Sequence, residues 1–207
     1  MKRGYRYRIY PNREQIPLFA KTFGCCRFLY NRMLSDKISW YENHKEMLQT
    51  TPAQYKKEYE WLKEVDSLAL ANVQLHLEKA YRNFFQKTKM GYPKYKSKRH
   101  PRQSYTTNMV NGNIRIEGNR LRLPKAGMVK IVLHRQIPAD AKLKSVTISR
   151  EATGKYYVSI LCELAEPENQ GRGIRAEETK ILGIDYAMNG MGVFSDGSRA
   201  NYPGYYR

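Results

Sequence analysis

The sequence predicts an α+β protein, in which a small antiparallel barrel or sandwich of strands is interrupted by helices and followed by a short second unit. Two observations carry this prediction. Apolar residues fall on every second position near residues 5–9 and again from residue 114, a period typical of half-buried strands. Between these regions they recur at every third or fourth position, as in amphipathic helices.

The first predicted strand covers residues 1–10. Tyr5, Tyr7 and Ile9 alternate with Arg6 and Arg8, so one face of the strand is expected to be buried and the other cationic. Arg6 and Arg8 are therefore candidate nucleic-acid-binding residues. An alternative is that their charges protect an edge strand from pairing with another chain.

Three helices are predicted next. Asn12 stands three positions before Gln15, the spacing of a capping box, and an apolar stripe runs along Ile16–Ile38. Thr51, with a proline after it, is the predicted cap of a shorter second helix. The third helix is capped by Asp66 or Ser67 and ends near Gly91.

Residues 84–102 form a basic stretch at the end of the third helix. They carry seven lysine or arginine side chains and no carboxylate. A solvated helix surface normally mixes both signs, because like charges repel. The stretch is therefore predicted to bind an anion, while Phe84 and Phe85 at its start are expected to lie in the core.

Short strands follow the basic stretch. Ile114 and Ile116 are expected to face Leu121 and Leu123 across a turn at residues 117–119. Three more strands are predicted at 128–135, 143–150 and 155–163. Their regular spacing is typical of a small antiparallel barrel or sandwich, which the first strand is expected to join.

A second unit is predicted after a linker at 165–179 that is rich in Glu, Gly and Pro. Asp185 lies in the apolar strand ILGID, where a partly desolvated carboxylate needs hydrogen-bond partners or a metal ion. The alternative is that Asp185 caps turn amides near Asn189. Asp196 lies in a turn sequence and is expected to cap that turn.

The overall charge favours a polyanionic partner. The chain has 37 Lys and Arg against 19 Asp and Glu, a formal net charge of +18, yet 41% of its residues are apolar. Such a globular, strongly cationic protein is suited to binding nucleic acid.

No apolar run long enough to span a membrane and no signal peptide is found, so a cytoplasmic protein is expected. The three cysteines are expected to be buried and reduced.

Several motifs, in order along the chain, resemble those of one known family. They are YRYRIYPNREQ, Arg27 with Tyr30 and Asn31, LEKAYRNFF followed by GYPKYKSKR, LRLPKAG, TISREATGKYYVSILCE and LGIDYAMNGMGVFSDG. Over essentially its whole length the chain is similar to the transposon-encoded TnpB (OrfB) proteins. These are RNA-guided DNA endonucleases of insertion sequences, related to the compact type V CRISPR effectors.

The resemblance implies a domain organisation. Residues 1–10 and 103–164 would form a β-barrel of the wedge type, interrupted by a helical recognition insertion with a basic arm at 11–102. Residues 165–179 would be a linker, and residues 180–207 would begin a RuvC nuclease domain of the RNase H fold. The resemblance covers the N-terminal half of such a nuclease.

The resemblance also implies partners, namely guide RNA and double-stranded target DNA at the nucleoid of a prokaryote. The residues expected to contact nucleic acid backbone are Arg6, Arg8, Arg27, Lys94, Lys96, Lys98 and Arg99. Tyr92 and Tyr95 would either stack on unpaired bases or ribose, or pack under the loop as a small satellite core.

Asp185 would be the first metal-binding carboxylate of the RuvC site, with Mg²⁺ as cofactor. The family continues with further acids and a zinc ribbon, which are absent from this chain. Metal-dependent phosphodiester hydrolysis would therefore require a missing C-terminal half, and the chain alone is expected to be inactive.

Two other functions fit the sequence. A relative without nuclease activity would still bind RNA and DNA and act by occupancy, as a repressor does. A general RNA-binding protein of the ribosomal type would also use basic strands and a basic arm. Plain RNA binding, however, does not require an aspartate in an apolar strand.

Overall fold

A computed structural model of the chain describes residues 1–86, 91–165, 182–186 and 192–200. The chain forms two compact units, residues 1–165 and 166–207. The first unit combines three α-helices with a seven-stranded antiparallel sheet, which confirms the predicted α+β class. Within the described residues, no helix has the length and apolar character needed to cross a bilayer.

Helices interrupt the sheet after its first strand. The elements of the first unit, in chain order, are β1 (Lys2–Tyr10), α1 (Gln15–His44), α2 (Pro52–Glu58), a 3₁₀ turn (Glu60–Glu64), α3 (Ser67–Gln86), β2 (Gln103–Asn108), β3 (Arg115–Glu117), β4 (Arg120–Leu123), β5 (Gly127–Val132), β6 (Lys142–Arg150) and β7 (Tyr156–Glu163). All three helices therefore lie between β1 and β2.

The strand order is β2-β6-β7-β1-β5-β4-β3, and every neighbouring pair is antiparallel. The sheet curls into a half-barrel, with β2 and β3 as its two edges. The first strand joins the sheet as predicted, but in the middle: β1 pairs with β7 on one side and β5 on the other.

The helix starts confirm the capping residues read from the sequence. Asn12 Oδ1 accepts a hydrogen bond from the Gln15 amide, and Gln15 Oε1 accepts one from the Asn12 amide. Gln15 Nε2 also donates to two carbonyls beside β5, which ties the start of α1 to the sheet. At α3, Asp66 Oδ1 accepts from the Leu68 amide, so Asp66 is the cap.

Helix α1 is longer than the apolar stripe indicates. It continues beyond Ile38 to His44 and ends at Lys45, which adopts a left-handed conformation (φ 58°) and donates its amide to the Tyr41 carbonyl. The last turns carry exposed aromatic residues, among them Trp40 stacked on His44. A pattern of buried residues does not reveal turns that lie in solvent.

The core lies between the helices and the inward face of the sheet. Fully buried side chains include Phe19, Leu29 and Met33 of α1 and Leu70 and Leu77 of α3. They meet the inward-facing strand residues Tyr7, Ile9, Ile148, Val158 and Ile160. The three cysteines are buried and free, as predicted.

Two sequence predictions about the first unit are wrong. Phe85 is 68% exposed rather than in the core, because adjacent residues on a helix point about 100° apart and Phe84 lies nearer the apolar stripe. Strand β2 was not predicted, since QSYTTN contributes one large apolar residue, Tyr105. Its other inward residue is Thr107, which is polar, so the sequence of this strand does not show apolar residues at every second position.

The second unit has a small described part. Its strands are β8 (Ile184–Asp185), β9 (Gly192–Phe194) and β10 (Arg199–Ala200), in the order β10-β9-β8. Strands β8 and β9 pair antiparallel, with Asp185 opposite Val193. The predicted turn at Asn189 and Gly190 lies outside the described residues.

Candidate nucleic-acid interface

The basic arm, residues 91–102, lies against helix α1 and is fixed there by one side chain. Asn31 Oδ1 accepts a hydrogen bond from the Lys96 amide at 2.7 Å, and Asn31 Nδ2 donates to the Lys96 carbonyl at 2.9 Å. The side-chain amide thus satisfies both backbone groups of one arm residue. Further along, Ser97 Oγ accepts from the Arg99 amide at 3.1 Å. These bonds give the arm a defined path along α1.

The four cations predicted in the arm differ in where their charges lie. All four residues, Lys94, Lys96, Lys98 and Arg99, are exposed as a whole. The side chain of Lys96, however, folds back and holds its ammonium over the buried ring of Tyr30, with Nζ 4.2 Å from the ring centre. Burial of this ammonium lowers the pKa of Lys96. Three of the charges therefore face solvent, and that of Lys96 helps to hold the arm on α1.

The two tyrosines of the arm have different surroundings. Tyr92 packs edge-on against Tyr81 and Phe84 of α3, with ring centres 5.6 and 5.2 Å away, and shares a 2.9 Å hydrogen bond with the Tyr81 hydroxyl. Tyr95 is 57% exposed and has no aromatic partner among the described residues. Tyr92 therefore belongs to the satellite core although it is 44% exposed, while the ring of Tyr95 is accessible for stacking.

Arg27 and the arm meet at a pocket between α1, the arm and the start of β2. The pocket has a volume of about 380 Å³. Its floor includes the buried side chains of Phe23 and Cys26, and its cations come from Arg27, Lys96 and Arg102. None of the described residues that line it is acidic.

The outward face of β1, β5, β4 and β3 carries a second set of cations, called here the cationic face. The pairing register places Lys130 opposite Arg120, and Arg122 opposite Arg115. Like charges that lie directly opposite each other destabilise a sheet. The members of the cationic face are Arg6, Arg8, Arg115, Arg120, Arg122 and Lys130. Glu117 lies on the same face, opposite Arg120, and forms an ion pair with Arg115, so it offsets part of this repulsion. The remaining excess of cations is suited to an anion lying across the strands.

On β1, the two predicted arginines enclose an aromatic ring. Arg6 and Arg8 lie 4.4 and 5.1 Å from the ring centre of Tyr157, and Arg8 also lies 5.2 Å from that of Tyr10. Arg6 forms an ion pair with Glu151, whereas the buried Nε of Arg8 has no partner in the described part of the chain. Arg8 pairs with β7 on one side and β5 on the other, so protection of an edge does not account for its charge. Arg6 lies before the β5 pairing, which begins at Arg8, and the alternative of edge protection stays open for it.

Asp185 of the second unit is exposed, and its neighbour Ile184 is 69% exposed. The expectation that an apolar strand would desolvate this carboxylate is therefore wrong for the described residues. The physical reason is that strands of two or three residues form too small a sheet to cover either side of β8. The alternative role near Asn189 falls outside the described residues.

Asp196 confirms its predicted role as a turn cap. Its Oδ1 accepts hydrogen bonds from the Ser198 amide at 2.9 Å and the Ser198 hydroxyl at 2.6 Å, and these bonds lower the pKa of Asp196. A magnesium site needs several oxygen ligands. Across the described ranges, no three His, Cys, Asp or Glu side chains come together as a possible metal site. Asp185 with its described neighbours does not by itself make a magnesium site.

Sequence reasoning missed several residues of these surfaces. Arg102 of the pocket is one, and the others are Arg115, Arg120, Arg122 and Lys130 of the cationic face. The signal for the face is the alternation of Arg and Leu along β4, which shows that one side of that strand is cationic. The sequence does not show which strands are neighbours, so the rows of opposed cations emerge from the pairing register.

Comparison with known proteins agrees with this picture of the chain. Residues 1–46 match the family model described as the helix-turn-helix domain of OrfB proteins of the IS605 type. In this chain those residues contain β1 and one continuous helix, α1, rather than two helices joined by a turn. The match therefore indicates kinship, and the docking geometry of a helix-turn-helix motif does not apply here.

Two relatives align with almost the whole chain. A protein of Streptomyces pristinaespiralis named as an RNA-guided DNA endonuclease is 32% identical over 217 residues, which cover 100% of this chain and 51% of that protein. InsQ of Escherichia coli K12, also named as an RNA-guided DNA endonuclease, is 28% identical over 211 residues, covering 96% of this chain and 49% of InsQ. The chain thus spans about half the length of these curated relatives.

A third relative is shorter. The virulence protein VsdF of Salmonella dublin is 33% identical over 113 residues, which cover 47% of this chain and 95% of VsdF.

The family model and the similarity along the full length of the chain lead to one assignment. The chain belongs to the transposon-associated TnpB (OrfB) family.

Proposed function

We propose that this chain is the nucleic-acid-binding part of an RNA-guided DNA endonuclease, and that it holds guide RNA and double-stranded target DNA. The observation that supports this most directly is the cationic face, where Arg122 lies opposite Arg115 and Lys130 opposite Arg120. Glu117 compensates part of this charge through its ion pair with Arg115, and the cations that remain are not favoured by folding alone. A polyanion across the strands offsets their repulsion and gains affinity by releasing its counterions.

The basic arm and the cationic face suit a protein in which base pairing between guide and target, rather than side chains, recognises the sequence. In RNA-guided recognition the protein holds the guide and target mainly through their backbones. Exposed Lys94, Lys98 and Arg99 on the arm offer point charges and a planar guanidinium for phosphate. The cationic face adds Arg8, Arg120 and Arg122 on rigid strands. Such contacts fix a duplex without selecting its sequence.

We also propose the finer domain assignment that the family resemblance implies. The seven-stranded sheet corresponds to a wedge-type barrel, residues 11–102 to the recognition insertion, and β8 with β9 to the first hairpin of a RuvC domain of the RNase H fold. Asp185 then supplies one ligand of Mg²⁺, and the other carboxylates come from outside the described residues. Cleavage of DNA belongs to the complete nuclease.

A second candidate function is a binding module that acts by occupancy, without cleavage. It is favoured by the position of the cations, since the basic arm and the cationic face both lie within residues 1–165. This unit has its own hydrophobic core of helices and sheet. It therefore has what it needs to hold RNA or DNA independently of Asp185.

RNA co-purification tests the proposal. The 207-residue protein is expressed beside its native flanking DNA, recovered at moderate salt, and the bound RNA is sequenced. Enrichment of one discrete RNA from the adjacent locus is expected if the chain holds a guide. A mixture of ribosomal and messenger fragments would contradict guide binding by this chain and leave general polyanion binding as its function.

A further inference from the structure

The pocket between α1, the basic arm and β2 is lined both by cations and by the buried apolar side chains of Phe23 and Cys26. At about 380 Å³ it lies near the lower end of the range of small-molecule sites, roughly 300–1,000 Å³. The buried side chains of Phe23 and Cys26 form part of the floor. A phosphodiester backbone on its own would not use these apolar groups.

The charge of the pocket selects an anion. Arg27 and Arg102 line it, and neither forms an ion pair with a carboxylate in the described part of the chain. Guanidinium groups bind phosphate with two parallel hydrogen bonds. Since the acidic side chains of the described residues lie elsewhere, these cations are available to a ligand.

The rim of the pocket offers a stacking surface. Tyr95 lines it and is 57% exposed, in contrast to Tyr92, which packs against Tyr81 and Phe84. Stacking of a base on an aromatic ring is worth a substantial part of the binding energy of single-stranded nucleic acid. The pocket thus combines a phosphate-binding part with a ring that a base can cover.

The rim is also held in place before a ligand arrives. The Lys96 backbone is clamped by Asn31, and His100 Nδ1 lies 2.8 Å from the Arg102 carbonyl and 3.2 Å from its amide. Gln103 Nε2 donates to the Lys98 carbonyl at 3.2 Å. Preorganisation of this kind reduces the entropy that binding costs.

We propose that this pocket holds one unpaired nucleotide, with its base on Tyr95 and its phosphate between Arg27 and Arg102. The inference rests on the proposed function, because the occupant is a nucleotide of a bound RNA or DNA. It goes further by assigning a site for a single extruded nucleotide in a protein whose other cationic surfaces suit paired backbone.

Paired and bulged hairpins test the pocket separately from overall binding. Dissociation constants of the 207-residue protein are measured for an RNA hairpin with a fully paired stem and for the same hairpin with one unpaired nucleotide. We expect the wild type to prefer the bulged RNA by roughly 5- to 100-fold, the range of one base–aromatic stack. DNA hairpins of the same sequence show which kind of nucleotide the pocket takes.

Two variants locate the preference. Ser104 lines the pocket and is exposed, so Ser104→Phe fills the space without altering the charge. Tyr95→Ala removes the stacking ring. In both variants the ratio of the two dissociation constants should fall to about one. Ser39→Phe, the same change at an exposed site on α1 that is not among the lining residues, should keep the wild-type ratio.

The outcomes separate the two proposals. Equal affinity of the wild type for paired and bulged hairpins would overturn the pocket and leave the proposed function intact. A preference that survives in both Ser104→Phe and Tyr95→Ala would also overturn it, because the nucleotide would then bind elsewhere. Failure of the wild type to bind any of the hairpins would overturn both proposals.

Discussion

Asn31 and Lys96 exchange two hydrogen bonds, one in each direction, between a side-chain amide on α1 and the backbone of the basic arm. Unlike the contacts of His100 with the Arg102 backbone, which stay within the arm, this pair joins the arm to a helix. The pair fixes the arm at its centre, between the satellite core around Tyr92 and the start of β2. It therefore positions the charges on both sides.

Replacement of Asn31 by Ala should release the arm without unfolding the protein. Two hydrogen bonds, each worth roughly 0.5–1.5 kcal/mol, are lost, so the Lys96 amide should exchange its hydrogen at least about fivefold faster. Hydrogen exchange measured residue by residue checks this. Asn43→Ala is the matched control, since Asn43 Nδ2 bonds within α1, to the Ser39 carbonyl. Unchanged exchange at Lys96 would show that other contacts hold the arm.

The exposed cations of the arm should determine the salt dependence of RNA binding. The triple substitution of Lys94, Lys98 and Arg99 by Ala should lower the slope of log K against log salt by about 2–3, since each phosphate contact contributes roughly 0.7–0.9. Lys96→Ala should change the slope by less than about one, because its ammonium lies over Tyr30. A slope that the triple variant leaves unchanged would place the binding surface elsewhere. Lys57→Ala, at an exposed site on α2, is the control.

We expect the cations of the cationic face to lower the free energy of unfolding and to raise the affinity for RNA. Arg122→Thr removes one of two opposed cations on adjacent strands, so the free energy of unfolding should rise by roughly 0.2–1 kcal/mol at low salt. The gain should shrink at 1 M salt, where screening acts within about 3 Å. RNA affinity should fall in the same variant. Urea unfolding and RNA titration check both effects, and a variant that is less stable at low salt would contradict the role assigned to repulsion.

Lys37 should make stability depend on pH at the alkaline end. It is 6% exposed, its ammonium donates to the Leu48 carbonyl, and burial lowers the pKa of Lys37 from 10.5. Between the lowered pKa and 10.5 the unfolded chain binds more protons than the folded chain, so this group makes stability rise with pH. In Lys37→Met that contribution is absent.

The stability of the wild type relative to Lys37→Met should therefore increase as the pH is raised from 7 towards 10.5. Urea unfolding of both proteins at several pH values gives the difference between their free energies of unfolding. Groups that titrate alike in both proteins do not contribute to this difference. Lys57→Met controls for the loss of an exposed lysine. A difference that stays constant or moves in favour of Lys37→Met would contradict the assigned pKa shift.

Asp185 and Asp196 should differ in a complete nuclease. In a protein restored to the full length of its relatives, Asp185→Ala should abolish magnesium-dependent DNA cleavage and leave RNA binding unchanged. Asp196→Ala removes a turn cap and should keep cleavage, with a small loss of stability. Cleavage that survives in Asp185→Ala would remove this residue from the metal site.

Local features of the fold could be read from the sequence, while features that join distant segments could not. The start of α1 depends on Asn12 and Gln15, which lie three residues apart, and both of their bonds were predictable. The Asn31–Lys96 clamp joins residues 65 positions apart, and the basic stretch gives no sign of it. Likewise, Arg6 and Arg8 were recognised as cationic, but the central place of β1 required the pairing of β5 and β7.

The candidate pocket, too, could be predicted from the sequence only in part. Arg27 and Tyr95 were named from the sequence by kinship and by composition. Their neighbour Ser104 belongs to β2, a strand that the sequence did not reveal because Thr107 replaces an inward apolar residue. A concave site made by a helix, an arm and an edge strand depends on tertiary packing, which periodicity along one segment does not encode.

The middle strand of the sheet is made from the first residues of the chain, and this sets an order of events during synthesis. Tyr7 of β1 reaches the carbonyl of Arg135, 128 residues later, so β1 leaves the ribosome long before its partners exist. The helices have local contacts and can form early, whereas the two halves of the sheet join last. Until then the apolar side of β1, with Tyr5, Tyr7 and Ile9, is uncovered and open to chaperones. A nascent chain stalled before β7 would hold α1, α2 and α3 without the complete sheet on which they pack.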